Sequence, residues 1–243
     1  STRFPAKPLA EIGEKPLFWH VYMRAKQADI FEEVWLATDD ERIEKKAEEA
    51  GIPFIHTRKE HQSGTDRVRE AVNILGLDAK AVIANIQGDE PFITREMFVK
   101  LLEPFQSSRC ESATLGVILD EEKDRERIFS PNQVKIALAQ NGEALYFSRS
   151  PIPFARDDVR KAPYVGHVGV YAFRRITLEK MAEFPPSPLE ETEKLEQLRL
   201  LEHGIRMQVR LISEAPHGVD TPEDLEKALE YYNNHPEYWV KSK

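Results

Sequence analysis

Apolar positions in this chain fall into short continuous runs and longer stretches of helical spacing, and the two kinds alternate through the first 105 residues. Residues 1–15 carry prolines and a glycine without a sustained period and read as a loop. Pro16 then stands at a first helical position, with Leu17, Val21, Ala25 and Ala28 following at helical spacing. Residues 34–38 read as a short buried strand ending in Asp39-Asp40, 41–50 as a helix closed by Gly51, and 53–56 as a strand. Ser63-Gly64-Thr65-Asp66 has capping-box spacing and opens a helix with Val68, Ala71, Val72 and Leu75 on one face. Residues 81–86 are apolar and rich in β-branched types, as in a strand buried on both faces, and a helix follows over 94–105. Short connections between such elements point to a parallel sheet with crossover helices.

Beyond residue 110 the rhythm changes. Residues 113–119, 134–139, 144–148 and 168–173 read as strands with little helix between them, and Asn141-Gly142 is a two-residue hairpin signal. Pro151-Ile152-Pro153 enforces an extended crossing. One long helix is expected over 187–202, with Gly204 behind it, then a strand over 207–212 and a last helix opening at Thr221-Pro222. The pattern predicts a single α/β domain over 1–243, a mostly parallel sheet flanked by helices, with an antiparallel inserted lobe over about 110–175.

Composition narrows the function. The 243 residues are 41% hydrophobic and 31% charged, as in a folded domain with a substantial core. A net charge of −8 leaves no basic excess to neutralise a nucleic-acid backbone, so phosphate chemistry must rest on a few placed cations or a metal. Cys110 is the sole cysteine, so no intrachain disulfide can form. No apolar run approaches the ~20 residues of a membrane helix.

The chemistry-bearing residues sit where strands give way to loops. Asp89 follows the 81–86 strand, at the carboxyl edge where open α/β sheets bind ligands. A carboxylate there either holds a hard divalent cation or caps its own turn. Asp220, just before the last helix, either joins such a site or supports the helix N-terminus electrostatically. Arg3 and Lys7, four residues apart in a proline-flanked loop, are either surface cations or a closure over a polyphosphate. The helix start at Ser63–Arg67 offers free N–H groups to a polar ligand, and Thr38 occupies the equivalent edge of the preceding strand. His167 and Tyr171 share one strand face, positioned for one ligand or simply for packing.

Eight stretches, STRFPAKPL (1–9), ATDDE (37–41), HQSGTDR (61–67), NIQGDEP (85–91), ALYFSRSPIPF (144–154), HVGVYAF (167–173), SPLEETEKLEQLRLLEHG (187–204) and GVDTPEDL (218–225), run in order across nearly the whole chain. Together they make the sequence resemble the 3-deoxy-manno-octulosonate (Kdo) cytidylyltransferases of the sugar nucleotidylyltransferases. The resemblance implies a Rossmann-like fold, CTP and an acidic eight-carbon sugar as substrates, and a homodimer to whose contact the inserted lobe contributes. It implies Mg²⁺ on Asp89 and Asp220, with Lys7 completing the catalytic set and Arg3 and Lys7 on the triphosphate. Thr38, Ser63, Arg67 and Gln87 would surround the nucleotide, Gln87 also reaching the sugar. Arg149, Arg156, His167, Tyr171, Glu196 and Gln197 would surround the sugar acid. A cytoplasmic enzyme making CMP-Kdo for lipopolysaccharide is expected; related sugar acids (8-amino-Kdo, a sialic acid) and a silent nucleotide-binding scaffold are the alternatives. Family members carry an opening strand and a Pro-Ala-Arg segment that would precede Ser1, and commonly glycine where this chain has Ala6, a change expected to stiffen the loop.

Overall fold

The computed structural model describes residues 6–61, 63–156 and 163–236. Its first elements are β1 (Glu11–Ile12), β2 (Lys15–Pro16), α1 (Leu17–Gln27), β3 (Leu36–Thr38), α2 (Glu41–Glu49), β4 (Phe54–His56) and α3 (Gly64–Leu75). Next come β5 (Val82–Asn85), α4 (Arg95–Leu102), β6 (Ser112–Ile118), α5 (Arg125–Phe129), β7 (Lys135–Leu138) and β8 (Ala144–Ser148). The chain closes with β9 (Val165–Arg174), α6 (Arg175–Glu183), α7 (Pro188–Glu193), α8 (Gln197–Glu202), β10 (Met207–Ile212) and α9 (Pro222–Asn234). The architecture is α/β, and its contacts divide it into two compact units.

The first unit holds residues 1–75, 86–99 and 216–243. β3 and β4 pair in parallel, as the strand–helix–strand pattern requires. The intervening α2 begins where Asp40 accepts a hydrogen bond from the Arg42 amide at 2.9 Å, and it buries Ile43 and Ala47 against Phe18, Trp19 and Ile52. A second apolar cluster joins Ile12, Leu17, Phe92, Val219 and Ala228. Phe92 lies three residues after Asp89 and Val219 one before Asp220, so this packing fixes both acid-bearing loops. A reciprocal capping box, Thr221 with Asp224, starts α9 directly behind Asp220.

The second unit holds residues 76–85 and 100–215 around a six-stranded sheet. β10 and β6 are parallel, whereas β9 runs antiparallel to β5, β6 and β7, and β7 antiparallel to β8. The sheet is therefore mixed, because the chain returns through the long strand β9 after the β7–β8 hairpin. Gly142 takes the positive φ (80°) that this hairpin turn demands. Two helices, α5 and α6, stand where the sequence pattern predicts none. The single helix expected over 187–202 is broken: Lys194 adopts a left-handed conformation (φ 55°) between α7 and α8. The break lets Leu195 turn inward to join the buried Leu198 and Leu200, and it frees the Glu193 carboxylate for partners on β8.

Candidate functional site

In the first unit, the turn Lys7–Leu9 carries Lys7 beneath the surface, 7% exposed. Its ammonium donates to Asp220 Oδ1 at 2.8 Å and also to Asp89 Oδ2. The Val219 amide donates to the Asp89 carbonyl at 3.0 Å, stitching the two acid loops together at the backbone. Burial disfavours the charged lysine, but its hydrogen bonds to Asp220 and Asp89, with the charges of both, outweigh it and hold its pKa above the ordinary value. Residues 7, 89 and 220, remote in sequence, thus converge on one point.

A third acid stands beside them and was not singled out by its sequence context. Burial, then the charges of Asp89 and Asp220, push the Glu90 carboxyl up to about 8 against the pull of Lys7. Gly218 permits its close packing, since a side chain there would begin 3.2 Å from Glu90 Oε1. The adjacent Asp89-Glu90 pair was the available signal, but its burial depends on a glycine 128 positions away.

The remaining nucleotide-side candidates form a second group in this unit. Ser63 Oγ accepts from the Asp66 amide at 3.1 Å and lies 3.1 Å from Asp66 Oδ2, so one half of the expected capping box is made and occupies part of the α3 N-terminus. Gln87 lies against that terminus: a Cβ on Gly64 would sit 3.1 Å from its Nε2. Arg67 pairs with Asp39 at 3.0 Å and donates to Thr57 Oγ1 at 2.5 Å, tying α3 to the edge of β3. Thr38 is buried, and its Oγ1 accepts from the Asp40 amide at 3.2 Å. Arg3 lies outside the described residues.

In the second unit, β9 carries His167 and Tyr171 on one face as their spacing predicts, with ring centroids 5.3 Å apart. His167 Nε2 lies 2.9 Å from Thr114 Oγ1, and burial pushes its pKa down to about 3. Burial, helped by the charge of Glu196, raises the Tyr171 phenol, so Glu196 belongs to the same cluster. Gln197 is 3% exposed, and its Nε2 has no hydrogen-bond partner among the described residues. Such a donor is costly to leave unmade and suits a polar ligand. Arg149 donates from Nε to the Glu193 carbonyl (2.7 Å) and from its terminal nitrogens to the carbonyls of Pro131 (2.9 Å) and Lys194 (3.4 Å). Arg156 is exposed at the edge of the described segment.

A family model described as cytidylyltransferase matches residues 1–209. The chain belongs to that family. It is 50% identical over 229 residues to the 3-deoxy-manno-octulosonate cytidylyltransferase of Nitratidesulfovibrio vulgaris (strain Hildenborough), covering 93% of this chain and 89% of that one. It is 46% identical over 226 residues to the enzyme of that name in Lawsonia intracellularis, covering 93% and 87%. Among solved structures it resembles CMP:2-keto-3-deoxy-manno-octonic acid synthetase complexed with CTP, with TM-score 0.89 and 39% identity over 97% of this chain and 95% of the other. The chain is accordingly a nucleotidyltransferase, and its resemblance to the Kdo cytidylyltransferases holds across nearly its full length.

Proposed function

We propose that this chain transfers CMP from CTP to Kdo, releasing pyrophosphate, with the anomeric hydroxyl as nucleophile at the α-phosphorus. The observation carrying the reading is the meeting of Asp89 and Asp220 on the Lys7 ammonium. The names of the close relatives and the CTP complex of the similar structure supply the substrates.

Asp89 and Asp220 suit Mg²⁺, because their carboxylates already converge on a bound cation, the lysine ammonium. Among the described residues no cluster of three or more His, Cys, Asp or Glu forms a closed metal cage. Mg²⁺ at phosphate sites asks for less, one or two carboxylates with phosphate oxygens and water completing the shell. When bound, it would supply charge neutralisation on the phosphates and help lower the pKa of the sugar hydroxyl.

The chain's own residues do the rest. Lys7 and Arg3 meet the triphosphate charge, while Thr38, Ser63, Arg67 and Gln87 border the nucleotide. Glu196 and Gln197 take the sugar hydroxyls beside His167 and Tyr171, and Gln87 reaches the sugar boundary. Among the described residues Arg149 commits three of its five N–H groups to carbonyls, leaving two for a bidentate grip on the sugar carboxylate, with Arg156 as the second cation. Positioning and charge neutralisation account for the acceleration, and no covalent intermediate is needed. In the same proposal the enzyme is a cytoplasmic homodimer working ahead of lipopolysaccharide assembly. No helix among the described residues is long and apolar enough to cross a membrane.

The test is pyrophosphate release from CTP with Mg²⁺ and Kdo, against 8-amino-Kdo, a sialic acid, and UTP or ATP in place of CTP. Release with CTP and Kdo is expected. Preference for another sugar acid would replace Kdo, and silence with all of them would leave a nucleotide-binding scaffold.

A further inference from the structure

Among the described residues Lys135 is the charged side chain that lies fully in the core, 0% exposed, and no step above uses it. It opens β7 opposite Ser148 of β8 and Gly166 of β9. Its ammonium is spent entirely on backbone, donating to the carbonyls of Ser130 at 2.8 Å, Gln133 at 2.6 Å and Arg149 at 2.5 Å. A buried ammonium with three carbonyl acceptors is a rigid three-way joint, because each acceptor it lost would be left unsatisfied.

The joint is connected to the sugar-side residues on every side. The loop it grips returns to β9 twice: Gln133 Nε2 donates to the His167 carbonyl at 3.0 Å, and the His167 amide donates to Val134 at 2.8 Å. Pro131, in the same loop, accepts from the Arg149 guanidinium. Glu193 accepts from Ser148 Oγ at 2.6 Å and from the Arg149 amide at 2.9 Å, which pins the break that sets Glu196 and Gln197.

We infer that Lys135 is a positioning residue for the sugar-acid side, holding the loop at 130–133 to Arg149 and thereby fixing Arg149 and His167, with Glu193 extending the hold to Glu196 and Gln197. The inference rests on the sugar-side reading of those residues proposed above. Its action is confined to one substrate, since none of these partners belongs to the set around Lys7, Asp89 and Asp220.

The experiment compares wild type, Lys135→Met, Lys135→Arg and Glu193→Gln in steady-state kinetics, with each sugar acid named above, and in amide hydrogen exchange. Lys135→Met should raise KM for the accepted sugar acid at least 10-fold with KM for CTP within 2-fold. Lys135→Arg should recover part of the loss, and Glu193→Gln, which keeps the side-chain shape, should move the same constant in the same direction. Equal changes for both substrates, or none, overturn the inference. Amide exchange at Arg149 and His167 should accelerate in Lys135→Met and be partly restored in Lys135→Arg. If wild type uses no sugar acid, the functional reading fails by itself, and unchanged exchange at those amides overturns the positioning role. Should Lys135→Met not fold, Glu193→Gln alone decides through its KM values and its exchange at Arg149.

Discussion

The ammonium of Lys7 donates to Asp220 Oδ1 at 2.8 Å across 213 positions of sequence, and it does so while also holding Asp89. Without that cation the carboxylate of Asp89, 25% exposed, would face that of Asp220, 75% exposed, a repulsion that water softens only on the Asp220 side. Under the proposed Mg²⁺ assignment, the ion and the lysine would compete for the same pair of acids. Lys7→Met should lower the melting temperature of the metal-free protein by several degrees, on the scale of ~2–4 °C per kcal/mol for a chain of this size. Added Mg²⁺ should then stabilise the variant more than wild type. Equal Mg²⁺ shifts in calorimetry would remove the exchange from the account. Asp89→Asn and Asp220→Asn should each lose about 100-fold or more in turnover, as removal of a transition-state charge contact does, with the fold intact by circular dichroism.

Ala6 occupies left-handed backbone, φ 58° and ψ 25°, at the start of the turn that delivers Lys7. An alanine there does more than stiffen the loop: its Cβ is strained against the carbonyl, at roughly 1–2 kcal/mol. Ala6→Gly should thus stabilise the protein by up to ~1 kcal/mol, the gain reduced by the freer unfolded chain. Urea unfolding of the two proteins measures it. A loss of stability on substitution would show that the turn does not need positive φ.

How far the chain could be read in advance follows from the range of the interactions. Asp89 and Asp220 were legible because a run of β-branched residues or a capped helix marks each edge locally, and Thr221 with Asp224 forms the box its spacing announces. His167 and Tyr171 were legible because the period of a strand is two. The break at Lys194 was not, since residues 187–202 have unbroken helical composition. The break coincides with the bonds that Ser148 and Arg149 make to Glu193, about 45 positions away, which no local pattern announces. Glu90 escaped for the same reason, its burial depending on Gly218. The direction of β5 likewise depends on which strand returns beside it, and no local pattern encodes that.

Across the broken helix, Arg199 grips Glu190 with Nε at 2.6 Å and a terminal nitrogen at 2.5 Å, both side chains mostly buried. Such a forked pair is strong in geometry, and removing one partner leaves the other charge uncompensated. Arg199→Met should cost about 3 kcal/mol in denaturant unfolding, whereas the double variant Arg199→Met with Glu190→Gln should recover a good part of it. Strict additivity of the two single losses would mean the pair does not act as a unit.

His167 links the fold to pH. Its imidazole is held neutral by burial, with a pKa of about 3 against the ordinary 6.5. Between those values the unfolded chain takes up a proton that the folded chain refuses. Its contribution to stability is therefore complete above about pH 6.5 and is lost progressively as pH falls below that. His167→Gln retains a polar group able to bond Thr114 Oγ1 but cannot titrate. Carboxylates elsewhere titrate alike in both proteins, so the difference between them isolates the histidine. Unfolding free energies of wild type and variant should converge, or cross in favour of the variant, by on the order of 1–2 kcal/mol between pH 7.5 and pH 5. If that difference stays flat over the interval, the imidazole accepts a proton in the folded state as readily as in the unfolded one, and its place beside Thr114 and Tyr171 is wetter than the packing implies.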